Sequence, residues 1–185
     1  MFGKTPADVA TIYSSVKSFL LQEEVERLVA RGEDINFVDD NGQTLLHKAV
    51  KIDDIKLMNY LFQFRVDPTK KDSNGLTPLH YAVEGEKVEM IKMLIKAEAN
   101  INAVDNCGQT ALHLAAKKSY LMVNGLKKIV DPLEIINCLL QNGADPTKKD
   151  RDGKIPADIA EDEEIRQVLL KAKKAFRRRG YCNIL

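Results

Sequence analysis

One eleven-residue phrase recurs along this chain, and nothing else in the sequence constrains the fold as tightly. Asp39-Asp40-Asn41-Gly42-Gln43-Thr44-Leu45-Leu46-His47-Lys48-Ala49 lines up with Asp72-Ser73-Asn74-Gly75-Leu76-Thr77-Pro78-Leu79-His80-Tyr81-Ala82, and again with Asp105-Asn106-Cys107-Gly108-Gln109-Thr110-Ala111-Leu112-His113-Leu114-Ala115. Gly42, Gly75 and Gly108 are spaced 33 residues apart each time. A fourth copy around Gly153 arrives after 45 residues, one period plus an insertion of 12 at 119–130. A partial fifth, Gly3-Lys4-Thr5-Pro6-Ala7-Asp8-Val9-Ala10, begins 39 residues ahead of Gly42. A period of this length marks stacked supersecondary units, none of which can bury its apolar face alone.

Each copy carries its own folding instructions. The glycine sits where a tight turn needs positive φ, and Thr-Pro then offers a helix cap and a proline suited to the first helical position. A second amphipathic stretch follows: Ile55, Met58, Leu61 and Phe62, then Val88, Ile91, Leu94 and Ile95, then Leu133, Ile136, Leu139 and Leu140 keep helical spacing. The expectation is an all-α solenoid of helix-turn-helix pairs with β-turn fingers, with repeats near 3–34, 35–67, 68–100, 101–145 and 146–172, followed by a basic tail at 173–185.

The repeated D-x-x-G-x-T-P-L-H-x-A stretch resembles the ankyrin repeat family over residues 3–172. The resemblance implies a non-enzymatic protein-binding module whose partner lies along a concave face of turn tips and first helices. Carried over by position, the partner-contacting residues are Val38, Asp40, Asn41, Gln43, Lys51 and Ile52; Lys71, Ser73, Asn74, Leu76, Tyr81 and Glu84; and Val104, Asn106, Cys107, Gln109, Lys117 and Lys118. It also implies that His47, His80 and His113, the only histidines, tie helix starts to turns. Asn36 and Asn102 hold equivalent hairpin positions, explained either by hairpin hydrogen bonding or, at Asn36, by hydroxylation. Asp8 and Asp158 replace the histidine in the terminal copies, which are expected to close the stack. The apolar insertion, with Asn124-Gly125 as a turn signal, reads either as an elongation of the first helix or as a binding loop.

Function classes narrow further. No histidine remains for acid–base chemistry, no phosphate-cradling glycine loop appears, and no catalytic residue or cofactor is assigned. Cys107, Cys138 and Cys182 form neither an even set nor a close pair, so neither a disulfide framework nor a metal site has support. A reducing compartment follows. No signal peptide is legible in the first residues, and no run approaches the about 18 apolar residues of a membrane span. A makeup of 44% hydrophobic and 30% charged residues fits a folded chain.

Charge is balanced overall, 28 basic groups against 27 acidic, but unevenly placed. Lys171, Lys173, Lys174, Arg177, Arg178 and Arg179 crowd the last fifteen residues without an acid. Behind them stands Cys182-Asn183-Ile184-Leu185, which looks like a C-a-a-X prenylation box of the geranylgeranyl type, with Asn183 a departure at the more tolerant position. A lipid and a polybasic patch are the two signals that stable anchoring takes. Ile165, Val168, Leu169, Ala172 and Phe176 also keep helical spacing, so the last helix can run into the same segment. The leading expectation is a prenylated adaptor at the cytoplasmic face of a membrane in a eukaryotic cell, or a bacterial effector lipidated in its host. The alternative is a soluble regulator whose basic tail contacts nucleic acid or directs nuclear import.

Overall fold

A computed structural model of the chain describes residues 6–118, 122–123, 126–127 and 131–182, with side chains at 15–118 and 131–178. In the internal copies the phrase folds as the repeat frame predicts. A finger ends at a threonine, an inner helix follows, and an outer helix returns. The inner row is α2 (Leu45–Lys51), α4 (Pro78–Glu84), α6 (Ala111–Ala116) and α8 (Pro156–Ile159); the outer row is α3 (Ile55–Leu61), α5 (Val88–Lys96), α7 (Pro132–Gln141) and α9 (Glu163–Cys182). Each inner helix packs on its own outer helix and on the next inner one.

Local chemistry sets the helix starts. The hydroxyl oxygens of Thr44 and Thr110 accept the backbone N–H of His47 and His113, both at 3.4 Å. Asp54 accepts Leu57 N–H at 2.8 Å and Asp131 accepts Leu133 N–H at 2.9 Å, while Pro78, Pro132 and Pro156 sit where no N–H is needed. The core is one aliphatic seam through the layers, with Leu46, Met58, Leu79, Ile91, Leu112, Ile136 and Ile165 fully buried. Among the described residues every buried side-chain nitrogen and oxygen has a hydrogen-bond partner.

The structure corrects the sequence at the N-terminal end and in the insertion. Where the frame predicts a first helix pair, α1 (Pro6–Arg31) is one unbroken helix packed on α2 and α3. Between Pro6 and Gly32 the sequence has no glycine or proline, and the helix has no left-handed residue like Asp53, which parts α2 from α3, or Glu86, which parts α4 from α5. The elongated-first-helix reading of the insertion is overturned, because α6 ends at Ala116 and strands β1 (Met122–Val123) and β2 (Leu126–Lys127) pair antiparallel. Their register, Met122 with Lys127 and Val123 with Leu126, leaves two positions between them, the loop length that Asn-Gly favours. Asn124 and Gly125 themselves lie outside the described residues. The basic segment is continuous with the last repeat, since α9 runs to Cys182, with Ala172, Ala175 and Phe176 facing Leu140, Ala144 and Pro146.

Candidate partner-binding face

Among the described residues, four aspartates build four fingers identically. Asp39 Oδ1 accepts the N–H groups of Asn41 and Gln43, Asp72 those of Asn74 and Leu76, Asp105 those of Cys107 and Gln109, and Asp150 those of Asp152 and Lys154. These donors hold Asp150 below the usual carboxylate range, Lys154 N–H foremost. At Asp39 burial pushes the other way and is outweighed by Gln43 N–H, Lys48 and Asn41 N–H.

Neighbouring fingers are then stitched through backbone. Ser73 N–H donates to Asn41 C=O, Asn106 N–H to Asn74 C=O, and Arg151 N–H to Cys107 C=O, each at 2.9 Å. This contact accounts for the glycines more fully than turn geometry alone. Gly75 has φ of 77°, and a Cβ there would stand 2.7 Å from Asn106 N.

The histidines add a second stitch. In His47, Nδ1 lies 3.1 Å from Thr44 N–H and Nε2 3.1 Å from Leu76 C=O, in the next finger. His80 repeats this with Thr77 N–H and Gln109 C=O, and His113 with Thr110 N–H and Lys154 C=O. A backbone N–H can only donate and a carbonyl only accept, so the neutral ring with its proton on Nε2 satisfies both. Burial depresses the pKa of all three below the ordinary histidine value. Each ring thus ties its own helix start to the following finger, one ring at each junction.

The inner face holds the side chains carried over from the repeat pattern, and many are occupied within the chain. Lys51 donates to Gln43, Gln43 to Tyr81 Oη, and Tyr81 Oη to Asp72 at 2.7 Å. Burial and the Asp72 carboxylate push the Tyr81 phenol up to about 12, so it stays a donor. Lys71 donates to Val104 C=O, Asn106 to Ser73 C=O, Lys117 to Gln109, and Lys118 to Glu84 C=O. Ile52 packs against the core. Val38, Asp40, Ser73, Asn74, Glu84 and Cys107 are exposed, and their side chains carry none of these bonds. Sequence reasoning marked the positions but missed the internal partners, which lie within the same repeat or in an adjacent one.

Asn36 and Asn102 are bridges. Asn36 donates to Arg65 C=O and accepts Asp67 N–H at 2.7 Å; Asn102 does the same with Gly143 C=O and Asp145 N–H. On α9, Lys171, Lys174, Arg177 and Arg178 are exposed and Lys173 is half-buried; the side chains of Arg179 and Cys182, and all of 183–185, lie outside the described residues. Among the described residues no group of three or more His, Cys, Asp or Glu is placed to hold a metal ion, and no helix is long and apolar enough to cross a membrane.

A stack of helix pairs joined finger to finger, offering one face of exposed turn tips and inner helices, is a repeat scaffold for gripping another protein. The family model described as ankyrin repeats, in three copies, matches residues 12–105 and 53–150. The chain belongs to the ankyrin repeat family, and as such is a protein–protein interaction module. No curated protein matches it.

Proposed function

We propose that the chain is a non-enzymatic adaptor that grips a protein partner across its finger tips and inner helices. The observation that carries this reading is the division of labour on that face. Backbone and buried groups hold the stack, leaving Val38, Asp40, Ser73, Asn74, Glu84 and Cys107 to solvent, as specificity positions on a rigid scaffold should be. Proximity labelling in cells, comparing the unaltered chain with one in which these six are replaced together by alanine or glutamate, tests it. A partner set lost with the fold intact supports the reading, and an unchanged set refutes it.

The finer proposal is that Cys182 receives a geranylgeranyl group and that Lys171, Lys173, Lys174, Arg177, Arg178 and Arg179 hold the anchored chain to an anionic cytoplasmic membrane, in a eukaryotic cell or in the host cell of a bacterial effector. What supports it is the wording Cys182-Asn183-Ile184-Leu185 beside a run of cations and the exposure of four of them on one helix. Such a box is read only at a free carboxyl terminus, so intact mass after expression in eukaryotic cells tests the terminus and the lipid together. Added mass with membrane release on Cys182→Ser supports it; an unmodified chain in the nucleus favours import through the basic segment. Hydroxylation of Asn36 is likewise proposed, and the mass of one added oxygen on its peptide is the check.

A further inference from the structure

Resting on the reading of this chain as a partner-binding module, we infer that it has a dedicated groove between α1 and α2 for an acidic segment of the partner that carries one or two large apolar side chains. The groove lies where α1 packs on α2, and its cavity measures about 320 Å³, within the about 300–1,000 Å³ of ligand clefts.

The floor is apolar, formed by Leu20 and Leu21 of α1 and Ile52 at the end of α2, and the rim is basic, formed by Lys17, Lys48 and Lys51. Leu20 is 56% exposed, and Val16, one turn earlier on the same side, is 50% exposed. Together they extend the apolar strip along α1. The lining itself carries no acid. Nearby acids are Asp39, 3.2 Å from Lys48, Asp72, which accepts the hydroxyl of the Tyr81 ring beneath Lys51, and Glu23 and Glu24, one turn beyond Leu20 on α1. Lys51 is already positioned, its ammonium 5.3 Å from the centre of the Tyr81 ring and 3.3 Å from Gln43, so little ordering is needed when a carboxylate arrives. Aliphatic side chains of the partner would fill the floor while flanking carboxylates pair with the ammonium groups of the rim. A basic segment is rejected by the same charges.

The test uses the full chain and a fluorescein-labelled helix-forming peptide, with leucines at i, i+3 and i+4 and glutamates around them, read by fluorescence anisotropy and by backbone NMR shifts. Saturable binding is expected, weakened about tenfold by Lys51→Glu and weakened also by Leu20→Glu, an exposed position whose change leaves the fold intact. Lys17→Glu serves as a second charge reversal should Lys51→Glu disturb the Gln43 and Tyr81 bonds. The same peptide with lysines for glutamates should not bind. Equal affinity for both peptides, indifference to Leu20→Glu and Lys17→Glu in natively folded variants, or self-association of the chain through this groove would overturn the inference. Shifts confined to Tyr81, Leu114 and the finger tips would also overturn it while sparing the adaptor reading, which fails separately if the six-residue variant keeps its cellular partners.

Discussion

At the scale of single residues, the buried histidines make stability depend on pH in a definite direction. Their folded-state pKa values lie below the ordinary 6.5, so below that value the unfolded chain binds more protons than the folded one. The stabilisation is complete above pH 6.5 and is lost progressively as pH falls toward the depressed values. Urea midpoints measured from pH 7.5 to 5 should decline, and replacing all three histidines should flatten that dependence. Each replacement strands groups the ring satisfied. His80→Ala leaves Thr77 N–H and Gln109 C=O without partners and should cost about 1–3 kcal/mol. Asp39, Asp67 and Asp150, lowered by their donors, add a loss of the same sign only below their ordinary value near 3.8. Glu98 offers the opposite case. It closes α5 at φ of 62°, a left-handed backbone that costs an L-residue about 1–2 kcal/mol. Glu98→Gly should therefore raise stability by about 0.5–1 kcal/mol, readable by chemical denaturation.

At the scale of the element, the finger is a turn whose price depends on whether another finger follows. Gly75 and Gly153 share a φ of 77°, yet a Cβ on Gly75 meets the next finger's backbone and one on Gly153 meets nothing within 4 Å. Gly153→Ala should cost only the backbone strain, about 1–2 kcal/mol. Gly75→Ala should cost distinctly more, because Asn106 N–H cannot keep its bond to Asn74 C=O with a methyl group in the way. Thermal unfolding of the two variants isolates the ladder's contribution from the turn's. The same logic explains the terminal departure from the pattern. Asp158 replaces histidine and still caps its helix by accepting Ile155 N–H at 3.0 Å, but it cannot reach across to a following finger. Among the described residues no finger stands beyond the one around Gly153, so no such bond is forgone there.

At the scale of the whole molecule, the two ends of the solenoid differ in kind. The N-terminal end presents α1, with Val16, Phe19 and Leu20 in solvent. The C-terminal end presents α9, acidic at Glu163 and Glu164 and basic from Lys171 onward, an order that the helix dipole favours at both termini. Lys171, Lys174 and Arg178 fall on one exposed stripe at i, i+3 and i+7. If the stripe meets anionic lipid, each cation contributes about 1 kcal/mol. Charge reversal of all three should then lower partition of the lipidated chain onto phosphatidylserine vesicles by about two orders of magnitude or more, measured by co-sedimentation at low salt.

The sequence alone determined the architecture, because the information lies in short-range wording repeated in register. Asp39, Gly42, Thr44 and His47 specify a turn and a helix start within nine residues, and three copies at one period oblige the units to stack. The inner and outer helices of the internal repeats were legible for that reason, as was the family. What escaped was whatever depends on a neighbour some 30 residues away or on the lack of one. The carbonyls that His47, His80 and His113 bind, the hydrogen bonds that occupy Gln43, Lys71 and Lys118, and the fusion of the first repeat into α1 belong to this group. So does the groove between α1 and α2, whose lysines and leucines stand far apart in the chain. Periodicity states that repeats meet, but which atoms meet, and what is left uncovered at an end, is fixed only by the packed geometry.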